Sequence, residues 1–173
     1  MGMYPGGDII RVTPTVVASS AYADADVLFA ATKIPNAVSS RGGVSKLISA
    51  YVIDQAKQDV DYDIYIFENS TSLGTIDLTA NIADDDFVAG NLCGVLHVDH
   101  DQTETQDLDN LIIHRILSMD GGTDAAASNA YPMMLKAAAG STDVYMSAII
   151  TSGTPTFDAI DDLQFIFHIE YLN

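Results

Sequence analysis

The stretch LQFIFHIEYLN, residues 163–173, carries the pattern that decides the fold class of this chain. Apolar side chains occupy every second position, at Leu163, Phe165, Phe167, Ile169 and Tyr171. Because successive side chains of a β-strand point to opposite faces, this segment is predicted to bury one face and expose the other. Chain ends fray unless a sheet holds them, so we expect this last strand to lie inside its sheet.

Further strand patterns recur along the chain at the spacing of β-sandwiches and barrels. Strands are predicted at residues 9–17, 27–34, 44–54, 62–68, 73–78, 92–98 and 111–119, and a hairpin is predicted from 131–138 and 144–151. The run 44–54 is apolar on both faces, which favours a central strand. Residues 83–88 are predicted to form one helical turn that ends at Gly90, and residues 99–110 an acidic loop. The fold class is therefore all-β, a jelly-roll-like β-sandwich of about eight to ten antiparallel strands.

The domain organisation follows from the same patterns. Residues 1–15 are predicted to be an arm or an edge strand, because their start is rich in glycine and proline and Pro14 cannot donate a ladder hydrogen bond. Residues 16–173 are predicted to form a single sandwich domain. The start of the chain lacks the basic and apolar regions of a signal peptide. Cys93 is the one cysteine of the sequence, so it has no partner for an intrachain disulfide.

The excess of acidic over basic residues is the most unusual feature of the composition. The chain has 24 Asp and Glu against 7 Lys and Arg, for a formal net charge of -17. Nucleic-acid binding draws most of its affinity from basic side chains on phosphates, so we expect neither nucleic acid nor an anionic membrane as a partner. The expected partners are basic or neutral surfaces, cations, or copies of the chain itself.

The densest group of metal-ligand residue types is His97, Asp99, His100 and Asp101. Two of them could supply half of a zinc or manganese site, and His114 or His168 would have to add a third ligand. The alternative is an ordinary strand end that enters an acidic loop.

A second acidic run, Asp59, Asp61 and Asp63, has the spacing that opens a calcium loop. The pattern then fails, because Ile64 and Ser70 stand where glycine and glutamate are needed. No nucleophile elbow, phosphate loop or dinucleotide motif occurs in the sequence. We therefore expect no catalytic residue, no cofactor and no enzyme activity.

Two long stretches of the chain resemble a known group of proteins. They are VVASSAYADADVLFAATKIPNAVSSRGGVSKLISAYVIDQ at 16–55, continued by DIYIFENSTSLGT at 63–75, and MLKAAAGSTDVYMSAIITSGTPTFDAIDDLQFIFHIEYL at 134–172. The resemblance is to virion proteins of tailed bacteriophages, many of them marine, which are similar to head decoration or cement proteins. It implies an oligomer, often a trimer, on the outer capsid surface, with the major capsid protein as partner.

The resemblance also suggests a role for the start of the chain. An arm of residues 1–15 would bind the capsid or a neighbouring subunit by adding a strand to an exposed edge. Its contact residues would be Tyr4, Pro5, Ile9, Ile10, Arg11 and Val12. Deletion of the arm would then abolish binding and leave folding intact. The alternative function is a receptor- or glycan-binding module of a head fibre or tail, with Tyr22, Tyr62 and Tyr131 as its candidate loop aromatics.

Overall fold

The computed structural model describes residues 6–101, 105–116 and 132–172, and within them it contains ten strands and one short helix. The all-β prediction is confirmed. The elements are β1 Gly7–Val12, β2 Val27–Ile34, β3 Val44–Asp54, β4 Asp61–Phe67, α1 Asp84–Ala89, β5 Leu92–Val98, β6 Thr105–Leu108, β7 Leu111–Ile116, β8 Met133–Lys136, β9 Val144–Ser152 and β10 Leu163–Leu172. The predicted helical turn is α1, and Gly90 is its C-cap.

The strands form two antiparallel sheets. Sheet 1 has the order β1-β10-β3-β7-β6, with β8 also paired to β3, and sheet 2 has the order β2-β9-β4-β5. The pairing is nested, since β1 pairs with β10, β2 with β9 and β3 with β8. Jelly-roll topology stays a prediction, and this nested pairing is the observation that favours it.

The core lies between the two sheets. Phe165 of β10 packs against Phe29 of β2 with ring centroids 5.5 Å apart, and against Tyr62 of β4 at 6.4 Å. All three side chains are at most 1% exposed. The last strand, β10, lies between β1 and β3 inside sheet 1, as predicted. Its alternate residues Leu163, Phe165, Phe167 and Ile169 are buried and face this core, as the alternation of the sequence also predicted.

Strand β3 departs from strict alternation at Ile48. His168 of β10 pairs with Ser49 but Ile169 pairs with Leu47, so Ile48 is an extra residue in the ladder. This β-bulge places Leu47 on the same buried face as Ala50, and it leaves Ile48 54% exposed. Strict alternation along residues 44–54 would put Leu47 and Ala50 on opposite faces, and the bulge is the reason that they share one.

Two predicted loop and strand assignments were wrong. Residues 73–78 contain one isolated bridge, from Ile76 to Val27, instead of a strand, because Gly74 and Asp77 have positive φ angles that interrupt an extended backbone. Residues 99–110, predicted as a loop, contain the edge strand β6, which pairs with β7. The prediction was wrong because strands were identified by an apolar face, which an exposed edge strand such as β6 does not need.

The predicted hairpin of 131–138 and 144–151 is two strands in different sheets. Residue 131 lies outside the described residues, and β8 pairs with β3 in sheet 1, whereas β9 pairs with β2 and β4 in sheet 2. Leu135 of β8 and Val144 of β9 belong to the same core cluster, so the two strands face one core from opposite sides. The turn between them, with Gly140 at φ 89°, crosses from one sheet to the other.

Strand β1 is the outer strand of sheet 1. Its Ile10 and Val12 are each 7% exposed and belong to the core, while Ile9 and Arg11 point outward. Of the two alternatives for the start of the chain, residues 7–12 therefore form an edge strand. Because this strand contributes core side chains, the expectation that its removal would leave folding intact has no structural support.

Candidate binding surfaces

The pairing of β4 with β5 brings together two acidic segments that are 34 residues apart in sequence. Asp63 and His97 are Cα partners in this ladder, and Asp63 Oδ1 lies 2.7 Å from His97 Nδ1. This hydrogen bond raises the pKa of His97 above its usual 6.5, which favours the protonated, ion-paired form. His97 is therefore held by an ion pair on the outer face of sheet 2.

His100 continues the same contact beyond the end of β5. Its backbone N–H donates to Asp61 Oδ1 at 2.8 Å, and its Nε2 lies 3.4 Å from Asp59 Oδ1. Asp101 N–H in turn donates to Asp99 Oδ1 at 3.0 Å. We call this set the acid–histidine strip; it consists of Asp59, Asp61, Asp63, His97, Asp99, His100 and Asp101.

His114 lies beside the strip on β7, at the point where the two sheets approach each other. It is 3% exposed, its ring centroid is 5.8 Å from that of His100, and its Nδ1 is 3.1 Å from Thr105 Oγ1. Burial, with a smaller contribution from His100, lowers the pKa of His114 to about 4. His168, the other histidine considered as a ligand, lies on the outer face of sheet 1 beside Ser49.

Part of the strip has the chemistry of a metal-ligand set. Asp59, His100 and Asp101 each offer one ligand atom, and these atoms lie within 4.8 Å of one another. Two carboxylates and one imidazole suit a borderline divalent ion such as Zn²⁺ or Mn²⁺. Of the predicted metal ligands, His100 and Asp101 lie together with Asp59 in this set. His97 does not belong to it and is hydrogen-bonded to Asp63 instead. Metal binding by these residues stays a prediction.

The outer face of sheet 1 is the second candidate surface. One row of the sheet crosses four strands, from Arg11 through Ile166 and Tyr51 to Arg115. The next outward row pairs Ile53 with Ile113. We call these outward residues, together with Ile9 and Ile48, the sheet-1 face.

The sheet-1 face combines exposed apolar side chains with basic ones. Ile9 is 49% exposed, Ile48 is 54% exposed, and both line a shallow depression that also includes Arg11 and His168. Three of the chain's seven basic residues lie on or beside this face, namely Arg11, Lys46 and Arg115.

Two carboxylates border the sheet-1 face, Asp8 at the start of β1 and Glu170, which is 3.5 Å from Lys46. Basic and acidic side chains therefore lie close together at this face, since Lys46 is paired with Glu170 and Asp8 lines the same depression as Arg11.

The predicted arm contacts are divided between the core and this face. Ile10 and Val12 are buried, so they stabilise the fold and are not accessible to a partner. Ile9 and Arg11 are exposed on the sheet-1 face. Tyr4 and Pro5 lie outside the described residues. Period-two alternation along residues 9–12 is the sequence signal that separates the buried pair from the exposed pair.

Two of the three aromatic residues that would serve a glycan-binding module are buried. Tyr22 and Tyr62 are each 1% exposed and belong to the core, and Tyr131 lies outside the described residues. Exposed aromatic faces usually carry sugar stacking, so the structure adds no support from Tyr22 or Tyr62 for the glycan-binding alternative.

Comparisons with family models, with curated proteins and with solved structures found no match to this chain. Within the described residues, no helix is both long enough and apolar enough to cross a membrane.

Proposed function

We propose that this chain is a structural virion protein that decorates and stabilises the outer surface of a bacteriophage capsid. It would bind the lattice of the major capsid protein as an oligomer, with a homotrimer as the expected form. The resemblance of residues 16–55, 63–75 and 134–172 to phage virion proteins motivates the proposal. The chain would act by binding the capsid protein, and this role would need no cofactor, no nucleic acid and no membrane.

The observation that carries the proposal is the sheet-1 face. Its central apolar residues, Tyr51, Ile53, Ile113 and Ile166, come from three adjacent strands whose positions are fixed by ladder hydrogen bonds. A surface on paired strands is pre-organised, so little conformational entropy is lost when a partner covers it. A stable interface buries about 800 Å² on each partner, an area that the face of a five- or six-stranded sheet can provide.

The mechanism is stabilisation by mass action. A protein that binds the assembled lattice, and does not bind dissociated capsid subunits, shifts the equilibrium toward the assembled state. An oligomer that contacts several lattice positions gains avidity without new contacts at any one of them. The acidic surfaces left outside the interface would keep decorated particles apart in solution.

The test is co-sedimentation of the full chain with capsids that lack it. We expect saturable binding at a fixed ratio to the major capsid protein, together with a higher temperature of capsid disruption. The variant Ile9→Ser/Ile48→Ser should bind more weakly, because it removes two exposed apolar side chains from the sheet-1 face. Ile160→Ser is the matched control, since Ile160 is 57% exposed in the segment between β9 and β10. Absence of saturable binding by the wild-type chain would contradict the proposal.

A further inference from the structure

We infer that two copies of this chain pair through their β1 strands, antiparallel and edge to edge, with Ile9 of each copy at the two-fold axis. Strand β1 is the end of the order of sheet 1, so no strand among the described residues pairs with its outer side. An unpaired strand edge carries backbone donors and acceptors that another strand can use. The inference goes beyond the proposed function and does not depend on it.

The register of β1 with β10 shows which backbone groups face the open edge. The backbone N–H of Tyr171 donates to the carbonyl oxygen of Gly6 at 2.8 Å, so the residues of β1 with even numbers exchange hydrogen bonds with β10. In an antiparallel ladder, hydrogen-bonded pairs of residues alternate with pairs that are not hydrogen-bonded. The N–H and C=O groups of Gly7, Ile9 and Arg11 therefore point away from β10, toward the open edge.

A pairing that places Ile9 opposite Ile9 of the second copy uses all of these groups. It also places Gly7 of each copy opposite Arg11 of the other, and every opposed pair exchanges two backbone hydrogen bonds. The two Ile9 side chains, each 49% exposed in the single chain, come into contact on the outer face of the sheet. Sheet 1 of one copy then continues into sheet 1 of the other.

The surroundings of Gly7 make this register self-complementary. Gly7 is the Cα partner of Glu170 in β10, and it lines a depression together with Ile9 and His168. Arg11 of the second copy, opposite Gly7, would have its Cα two strand spacings, about 10 Å, from that of Glu170. Because glycine places no side chain between them, the guanidinium can reach across and bind the carboxylate. The two-fold axis repeats this ion pair, as a contact between identical surfaces requires.

Both charged groups are available for this contact. Arg11 is exposed and has no carboxylate within ion-pair distance among the described residues. Lys46 lies 3.5 Å from Oε2 of Glu170, which leaves Oε1 for the guanidinium. Within one chain Arg11 is opposite Ile166, four residues or about 13 Å along β10 from Glu170, so the two side chains do not meet there. The ion pair would therefore form only between copies.

Asp8 covers the open edge in the single chain. Its Oδ1 accepts the backbone N–H of Ile9 at 2.7 Å, and this N–H is a donor that the pairing with a second copy needs. Charged side chains protect the edge strands of many proteins from unwanted pairing. The carboxylate must leave the N–H before two copies can pair, and the contact covers one short strand on each copy. We therefore expect a concentration-dependent equilibrium instead of a permanent dimer.

The first experiment measures mass in solution by sedimentation equilibrium, from about 1 μM to about 1 mM protein and at about 0.15 M salt. A two-fold contact cannot build a trimer, so it should double the mass of the smallest species, whether that is the single chain of 18.5 kDa or the proposed homotrimer. Ile9→Pro should abolish the doubling, because proline removes an N–H that faces the open edge and leaves the hydrogen bonds of β1 with β10 in place. Ile9→Thr keeps this N–H and is the matched control, and circular dichroism confirms the fold of both variants.

A second set of variants tests the register. Arg11→Glu and Glu170→Arg should each raise the dissociation constant of the pair about 10-fold or more, because each brings like charges together twice across the axis. The combined variant Arg11→Glu/Glu170→Arg restores opposite charges between the copies and should pair as the wild type does. Asp8→Ala should tighten the pairing about 10-fold, because the N–H of Ile9 no longer has to be released. Asp24→Ala, with the same change of charge at an exposed turn, should have little effect.

The possible results separate this inference from the proposed function. A wild-type mass that does not double over the whole range would overturn the inference, as would a doubling that Ile9→Pro leaves unchanged. A doubling that proline abolishes but that neither charge reversal weakens would overturn the register with Ile9 at the axis. No capsid takes part in these measurements, so their failure leaves the proposed function standing, and a failure of capsid binding leaves the pairing of β1 standing.

Discussion

At the residue scale, buried polar side chains hold the connections between strands. Asp54 is 2% exposed and accepts backbone N–H donors from Ala56, Lys57 and Gln58 at 2.8, 3.1 and 2.7 Å. Burial raises the pKa of Asp54, and the three hydrogen bonds offset part of that cost. Asp162 likewise holds the connection before β10, because its carboxylate accepts hydrogen bonds from the backbone N–H groups of Asp158 and Ala159.

The stability of the fold should fall as His114 becomes protonated. Its pKa is about 4 in the folded chain and 6.5 in the unfolded chain, so the unfolded state binds more protons between these values. The free energy of unfolding should therefore decrease by roughly 3 kcal/mol as the pH falls from 6.5 to 4. His97 adds little to this change, because its raised pKa leaves it protonated in both states over most of that range.

The measurement is urea unfolding at a series of pH values with a matched pair of variants. His114→Asn keeps a hydrogen-bonding group beside Thr105 Oγ1 and removes the titrating group, so its pH dependence should be flatter than that of the wild type. His168→Asn, on the outer face of sheet 1, should keep the wild-type dependence. Equal slopes for the wild type and His114→Asn would show that other groups cause the acid sensitivity.

Sequence reasoning found the residue types of the acid–histidine strip but not its membership. It considered residues 59–63 and 97–101 separately, and their contact depends on the register of β4 with β5, which no local pattern specifies. Asp54 and Asp162 were missed altogether. In a chain with 24 acidic residues, a buried aspartate that caps a turn has no sequence feature that separates it from an exposed one.

At the element scale, β1 contributes side chains both to the core and to the sheet-1 face. Ile10→Ala should lower the free energy of unfolding by about 2–4 kcal/mol, because it leaves a cavity beneath the edge of sheet 1. Ile9→Ala removes the same atoms from an exposed neighbour, and it should cost about 0.5 kcal/mol or less. Equal losses in chemical denaturation would mean that β1 does not pack as described here.

The two glycine turns that flank β9 offer a second element-scale prediction. Gly153 has φ 94°, and an added Cβ would lie 2.7 Å from the backbone oxygen of Asp59, whereas Gly140 has φ 89° with no atom within 4 Å of the added Cβ. Gly140→Ala should thus cost about 1 kcal/mol from backbone strain alone, and Gly153→Ala about 2–4 kcal/mol. Thermal unfolding of both variants checks the order, and a smaller loss for Gly153→Ala would refute it.

The strands themselves were the most predictable elements. Residues 27–34, 44–54 and 92–98 were predicted with the bounds that the structure gives, because period-two alternation and β-branched composition are local signals. Sheet membership was not predictable in the same way. Strands β8 and β9 are joined by a short glycine turn that looks like a hairpin, and the choice between pairing and facing depends on the other strands.

At the scale of the whole molecule, charge is distributed unevenly over a rigid sandwich. Basic and acidic side chains are mixed at the sheet-1 face, while the outer face of sheet 2 carries Asp61, Asp63 and the exposed aspartates of α1. The chain has a formal net charge of -17, and its acidic side chains are closer together in the folded state than in the unfolded state. Their mutual repulsion therefore destabilises the folded state at low ionic strength. This repulsion is long-ranged, so it depends on the total charge more than on any single pair.

The stability of the folded chain should accordingly rise with salt. The Debye length falls from ~30 Å at 0.01 M to ~3 Å at 1 M, so sodium chloride over that range should screen most of the repulsion. We expect an increase in Tm of roughly 3–6 °C, equivalent to about 1–2 kcal/mol for a chain of this size. The variant Arg41→Glu should show a steeper increase, because it replaces a positive by a negative charge at an exposed position and so makes the net charge more negative by two. A Tm that is constant or falls with sodium chloride would show that ion pairs such as Lys33 with Asp143 and Lys57 with Asp107 outweigh the net repulsion.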